Sequence, residues 1–404
     1  MRGAGDQMST GQRVAFYRRR RGLTQGVLAG LIGRSEDWLS KVERNQRRLN
    51  EQTLTAVAQA LRVMPEDIKG QPVLAEADRP ANDDVPAVRE ALLDHRRLSA
   101  TLFAVERSFV DVDAVAAYSR NVWDLYQRGQ TGAVISELPR LIRDAQALEA
   151  SGDSDGRPWA VSARIHHLAA TTLAKLGESE LAWTAGEQAM RAAERSGDPL
   201  AIASASRATT HALLAMGRFD HAVELGQRTA DWLNDQLRKD DPAALSLLGM
   251  LHLRTAIAAS QRQDRAATNE LLDRAEALAS RLGRDANLWQ TSFGPTNVRL
   301  HRVAANLNLE DVAWVIEHGA EVNSSQLPIE RTVAHKIDLA RANSYHAKDQ
   351  TAVEYLIDAE HLAPDLVRQS AAVRETVKSM LHRNIASTGK GSLLGDLAVR
   401  CRAV

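Results

Sequence analysis

A chain of 404 residues that is 44% hydrophobic and 25% charged holds enough apolar material for more than one core, which excludes a disordered chain and predicts two or three domains. Its single cysteine, Cys401, excludes an intramolecular disulfide framework and a cysteine-based zinc knuckle. No apolar run approaches the ~20 residues of a membrane-crossing helix, and MRGAGDQMST lacks the apolar core of a signal peptide, so a soluble cytoplasmic protein with no membrane partner is expected. Net charge is zero, but residues 1–70 hold 13 Lys and Arg against 7 Asp and Glu, and the remainder 38 against 44. A basic segment joined to an acidic body points to a polyanion as partner of the first segment.

In chain order, a first helix is predicted from about Gln12 to Arg21, with Val14, Phe16 and Tyr17 apolar. The run Arg18–Arg21 lies at its C-terminal end, where cations suit the helix dipole, and Gly22 stops it. Thr24 is the N-cap of a second helix that carries Val27, Leu28, Leu31 and Ile32 and ends at Gly33. Ser35 caps a third, with Trp38, Leu39 and Val42 as its buried stripe. A further helix over about Glu51–Leu61 and a final turn at Pro65–Ile68 complete a five-helix unit. Two short helices joined by a glycine turn have the form of a helix-turn-helix, whose second helix enters the major groove.

The run from Val14 to Ile68, with RGLTQ, LIGRSEDWLSKVERN and LTAVAQALRVMPEDI, resembles the Cro/CI-type (XRE) helix-turn-helix family over about 55 residues. The resemblance implies double-stranded DNA as partner. It places Gln25 on a phosphate, orienting a base-reading side chain, and puts Glu36, Asp37, Ser40 and Lys41 at the base-reading positions. It also implies a fold-locking salt bridge between Glu43 and Arg18. Thr24 and Ser35 join the expected DNA contacts, and Arg18, Arg19, Arg34, Arg44, Arg47 and Arg48 are the expected affinity carriers through counterion release. Glu36 and Asp37 depart from the neutral or basic residues usual in the family. They either cap the helix start or accept from a cytosine amino group.

The proline-bearing stretch KGQPVLAEADRPANDDVPA reads as an extended, mobile linker. The expected organisation is a DNA-binding domain over 1–69, a linker over 70–86 and a helical-repeat domain over 87–404. Beyond the linker no strand-like alternation is visible, so the whole chain is expected to be all-α. Breaks near Gly129, Gly177, Gly217, Gln263, Asn308 and Lys348 recur at gaps of 48, 40, 46, 45 and 40 residues. Small residues precede them by about seven (Ala170, Thr210, Ala256) and follow by five (Ala182, Ala222, Thr268, Ala313, Val353). That is the tetratricopeptide arrangement of close-packed helix pairs, here with helices longer than the standard repeat. A plain α-helical bundle is the alternative.

FGPTNVRLHRVA, LPIERTVAHKIDLARA and AEHLAPDLVRQSAAVRETV resemble the C-terminal sensor region of actinobacterial Cro/CI-type regulators with tetratricopeptide repeats. This resemblance implies a transcriptional regulator whose repeat domain receives a small-molecule or peptide effector. Counting back from each break places Arg164, His167, Arg207, His211, Arg302, Asn306 and Arg341 on the concave wall, where basic and amide groups suit a carboxylate or a peptide backbone. A hydrated groove without ligand is the competing reading. A homodimer is expected, because specific sites usually take two reading heads.

No enzyme is expected. Around STGKGS the glycine that a phosphate loop requires five residues before Gly389 is Asn384, and Gly391 stands where Ser or Thr is required. His166 and His167 lie ~100° apart on a helix and cannot both ligate one metal without outside partners, so neither metal nor cofactor is expected. The alternatives to a regulator are an interaction scaffold or an antitoxin-like repressor with a vestigial helix-turn-helix.

Overall fold

The computed structural model describes residues 9–20, 23–61, 65–69, 85–94, 110–151, 156–236, 241–383 and 392–403. These are helices and turns, with one isolated bridge between Ala286 and Phe293. Arg21, Gly22, most of the linker and most of STGKGS lie outside them. The amino-terminal unit comprises α1 (Thr10–Arg20), α2 (Gln25–Leu31), α3 (Glu36–Glu43), α4 (Glu51–Leu61) and α5 (Pro65–Lys69). Thr24 Oγ1 accepts from the Val27 amide at 3.2 Å and Ser35 Oγ from the Trp38 amide at 3.2 Å, so each helix start has its cap. Gly33 between them takes φ +65°, a left-handed turn that favours glycine.

Val14, Leu28, Leu39, Val42, Leu54, Val57, Leu61 and Ile68 form the core of this unit. Phe16, Val27 and Leu31, expected on apolar faces, are exposed. The seven-residue α2 turns one narrow stripe inward, filled by Leu28 and Ala29. Val27 and Leu31, four apart, share the adjacent face about 100° round the helix.

Next comes α6 (Val85–Leu92), which begins inside the stretch expected as linker and buries Val85, Val88, Ala91 and Leu92. Six helix pairs follow: α7 (Val112–Gln127) with α8 (Thr131–Ala150), α9 (Arg157–Leu176) with α10 (Ser179–Ser196), and α11 (Pro199–Ala215) with α12 (Phe219–Gln236). Then come α13 (Pro242–Gln261) with α14 (Arg265–Leu282), α15 (Pro295–Asn308) with α16 (Val312–Gly319), and α17 (Ile329–Tyr345) with α18 (Asp349–Leu362). The described chain closes with α19 (Pro364–Arg368), α20 (Ala371–Arg383) and α21 (Leu393–Arg400).

Each pair reverses through one residue of positive φ: Gly129, Gly177, Gly217, Gln263, Glu310 and Ala347. Ala170, Ala182, Thr210, Ala222, Ala256 and Thr268 are all fully buried, and the absence of bulk at these positions is what lets the paired helices close. Ala313 departs from the expectation and is exposed. The reversal falls at Glu310, two residues after the predicted break at Asn308, so Val315 takes the buried place instead. Contrary to the expectation that no run is long enough, α13 has the length and composition of a bilayer-crossing helix, though it is mostly buried within the repeat region and carries Arg254.

The amino-terminal unit rests on the row of reversals. Thr55 of α4 packs on Gly217, where any Cβ would collide with the Thr55 hydroxyl. Arg48 lies 4.5 Å from the Tyr345 ring centre and donates to Thr376 Oγ1 at 3.4 Å, while Glu375 accepts from the Thr10 amide at 3.2 Å, at the start of α1. A cavity of about 320 Å³ remains between the two parts, lined by Asn45, Arg48 and Lys69 on one side and Lys175, Arg341 and Glu375 on the other. Gly217→Ala is therefore expected to strain the turn by about 1–2 kcal/mol and to lift α4 from its seat. Hydrogen exchange over residues 51–61 should accelerate, and adding Thr55→Ala should restore most of the protection; unchanged exchange in Gly217→Ala would refute the seat.

Candidate nucleic-acid interface and concave site

At the amino-terminal unit, one carboxylate organises three elements. Arg18 Nε donates to Glu43 Oε1 at 2.6 Å and Nη2 to Oε2 at 3.0 Å, with both side chains under 10% exposed. Gln25 Nε2 donates to the same Oε2 at 2.7 Å, and Arg18 Nη1 to the Leu23 carbonyl at 2.7 Å. The Glu43 hydrogen bond keeps Arg18 charged, raising its pKa against the opposing effect of burial. α1, the start of α2 and the end of α3 are thereby held in one relation, which is the relation a reading helix needs.

The outward side of this frame carries Thr24, Arg34, Ser35, Glu36, Asp37, Lys41 and Arg44, all exposed, with Ser40 and Gln25 half-buried beside them. Residues 11–69 match the family model for a helix-turn-helix domain, of the XRE-like type. This part of the chain is a helix-turn-helix domain. Comparison of the chain with curated proteins and with solved structures finds no match.

Within the helix-turn-helix domain the expected DNA contacts divide. Arg18 is buried on Glu43 and presents nothing outward, whereas Arg19 is exposed. Asp37 and Lys41 form an exposed pair at 2.7 Å one helical turn apart, so part of the acidic character at the helix start is answered locally. Arg34 and Arg47 stand over Trp38 at 5.5 and 6.0 Å from its ring centre. Arg47 reaches Glu310 at 4.0 Å, and Arg48 is held on Tyr345. In this arrangement Arg44 remains turned to solvent, while Arg47 and Arg48 face the repeat region.

The interior of the repeat-like helical region brings Arg164, His167, Arg207 and His211 together, with residues that sequence reasoning missed. Arg207, 5% exposed, donates to His167 Nε2 at 3.2 Å and to the Trp289 and Gln290 carbonyls at 3.4 Å. Because the Arg207 N–H can only donate, Nε2 is the acceptor of a neutral imidazole, and Nδ1–H donates to Ser204 Oγ at 2.8 Å. Burial first, and then Arg207, Arg164 and Arg254, keep His167 neutral. Burial and the nearby cations do the same for His211 and bring His301 down to about 3. Arg164 donates to Gln290 Oε1 at 2.9 Å and stacks over Trp289 at 5.2 Å.

Arg254, Arg331, Lys175 and Glu330 complete the group. Arg254 was legible as the one charged residue of α13. Burial and neighbouring cations pull Arg207 down to about 9 and Arg254 to about 10. Three expected members lie elsewhere. Arg302 pairs outward with Asp273 and Glu276 at 2.9 Å, Asn306 donates to the Arg302 carbonyl, and Arg341 pairs with Asp338 at 3.1 Å on the wall of the 320 Å³ cavity. On α15 it is His301, beside Arg302, that feels the interior charges.

Glu330, 4% exposed, holds Lys175 and accepts from Arg331 Nε at 3.2 Å. Burial opposes its ionisation, but Arg331 and Lys175 outweigh burial and hold its pKa at about 2. Because the folded value lies below the unfolded one, the ion pairing stabilises fully above about pH 4.5 and is lost as pH falls toward 2, a contribution on the order of 3 kcal/mol. The stability gap between the native chain and Glu330→Gln, followed by chemical denaturation, should be widest near neutral pH and close through this window; a gap independent of pH would refute the pairing.

Proposed function

We propose that the chain is a sequence-specific, double-stranded-DNA-binding transcription regulator of the cytoplasm and not an enzyme. In this reading its tetratricopeptide-like repeats form a homodimer and receive a small-molecule or peptide effector on their concave side. The observation that carries the reading is the helix-turn-helix match together with a locked α1–α2–α3 frame whose exposed outward face carries Arg34, Lys41 and Arg44. Backbone neutralisation by those arginines supplies affinity, and side chains at the start of α3 supply preference.

Arg44→Ala is expected to weaken binding to all duplex sequences and to flatten the slope of log K against log salt by ~0.9, the share of a single neutralised phosphate. Lys41→Ala should instead change which sequence is preferred. An unchanged slope in the first variant, or a uniform weakening in the second, would refute these roles. A scaffold with a vestigial helix-turn-helix is the second reading, favoured by Glu36 and Asp37 at the start of α3; it predicts no salt-dependent binding to duplex DNA.

The homodimer follows from geometry: one small head reads about half a turn, and two heads ~34 Å apart read a site. Light scattering of the full chain at micromolar concentration should give twice the monomer mass. A monomer there, and also on DNA, would overturn it. Effector coupling requires that the ligand bind one arrangement of the repeats better than another, since only differential affinity moves the heads.

A further inference from the structure

Resting on the sensor reading above, we propose that the repeat interior binds a small anion, a carboxylate or a phosphate monoester, through Arg207, Arg254 and Arg331 beside Trp289 and Gln290. The first ground is charge. Arg207, Arg254 and Arg331 act on one another here, Arg164 and Lys175 act on the histidines beside them, and among the described residues Glu330 is the one carboxylate that acts on Arg207 and Arg254. The histidines between them are held neutral and add neither charge nor countercharge. Cations withdrawn from water without a counterion are costly.

The second ground is hydrogen bonding. Arg207 has only carbonyls and a neutral imidazole as partners, two of them at 3.4 Å. Arg254 Nε and His211 Nδ1 are buried with no hydrogen-bond partner. Other arginines of the chain have acids as partners: Glu360 holds both Arg368 and Arg400 at 2.8 Å, and Asp349 holds Arg383 at 2.6 Å. An oxyanion fits the missing role, since it accepts several N–H groups and guanidinium forks bind carboxylate and phosphate two-handed.

The third ground is the loop that closes the site. Trp289, Gln290 and Ser292 have φ of 53°, 52° and 50°, three left-handed non-glycine residues within four positions. Phe293, fully buried, pins the loop against Gly249, where a Cβ would collide with its ring. Strain held in place by such packing is a mark of ligand sites. It presents the Trp289 and Gln290 carbonyls and the Trp289 ring to Arg207 and Arg164. Lys175 belongs both to this group and to the wall of the cavity beneath the helix-turn-helix domain, so an anion that draws Lys175 from Glu330 would alter the seat of that domain.

The test uses the full chain in chloride buffers of matched ionic strength, titrated with inorganic phosphate and, separately, with citrate. Melting temperature and affinity for duplex DNA are read for the native chain, Arg254→Met and Arg254→Lys. One or both anions should raise the native melting temperature by several degrees. The rise should vanish in Arg254→Met and need at least tenfold more anion in Arg254→Lys. Phosphate alone acting marks a phosphate monoester, citrate alone a carboxylate. Without anion, Arg254→Met should melt at or above the native chain, because an uncompensated buried charge has been removed. No rise with either anion, or an equal rise in all three proteins, would overturn the site. So would an Arg254→Met chain that melts well below the native one or fails to fold, since its guanidinium would then be a strut. An Arg254-dependent rise with unchanged DNA affinity would leave the anion site standing and remove the sensor reading instead.

Discussion

The repeat region depends on one constraint, the close approach of paired helices through residues too small to keep them apart. Ala170, Thr210 and Ala256 on one helix of a pair, and Ala182, Ala222 and Thr268 on the other, are all completely buried. Alanine and threonine bury less apolar area than leucine, so each contact contributes less. Helices of 16 to 20 residues offset this by lengthening the seam. Every pair reverses at a left-handed residue, and the helix-turn-helix domain sits against these reversals, with Thr55 on Gly217 and Arg47 beside Glu310.

Arginine is used in two opposite ways. Arg18 is buried with a two-pronged partner, Glu43, and three of its nitrogens are satisfied. A buried pair of this kind does little for stability against an apolar substitute, yet breaking it costs about 3–5 kcal/mol, so it specifies one arrangement of α1, α2 and α3. Arg207 is buried and Arg254 half-buried, both without such partners. Burial of the first kind defines a shape, and burial of the second kind leaves a demand that the chain itself does not meet.

Much of this was legible in the residues. The caps at Thr24 and Ser35, the four reversals from Gly129 to Gln263 and the small residues around them follow from local chemistry, which a sequence displays directly. The Arg18–Glu43 pair came from resemblance, since nothing local links residues 25 apart. In the interior of the repeat-like region Arg164, His167, Arg207 and His211 fall near one another, each ten to thirteen, or six, residues before a glycine reversal. The counting failed on α15, where the reversal is Glu310 and not Asn308. Counting thirteen back from Glu310 reaches Asn297, which does face inward, toward Met250 on the neighbouring repeat. Glu330 and Arg331 open α17 and owe their place to tertiary packing, which no periodicity encodes. Nor did any pattern show that Arg47 and Arg48 face the repeats.

That last arrangement bears on how the two parts would communicate. Arg48 cannot lie on Tyr345 and against a phosphate at once, and Arg47 cannot answer both Glu310 and the DNA backbone. Binding of duplex DNA through these residues would therefore give up part of the seat on the reversals, and any change in the repeats that alters the seat alters the free energy left for DNA. The coupling is reciprocal, so DNA would in turn shift the repeats. Tyr345, Arg341, Lys175 and Arg48 line one cavity, and Lys175 is held by Glu330 in the interior group. The charged interior and the arginines that face the repeats thus border one cavity, through Lys175 and Arg48.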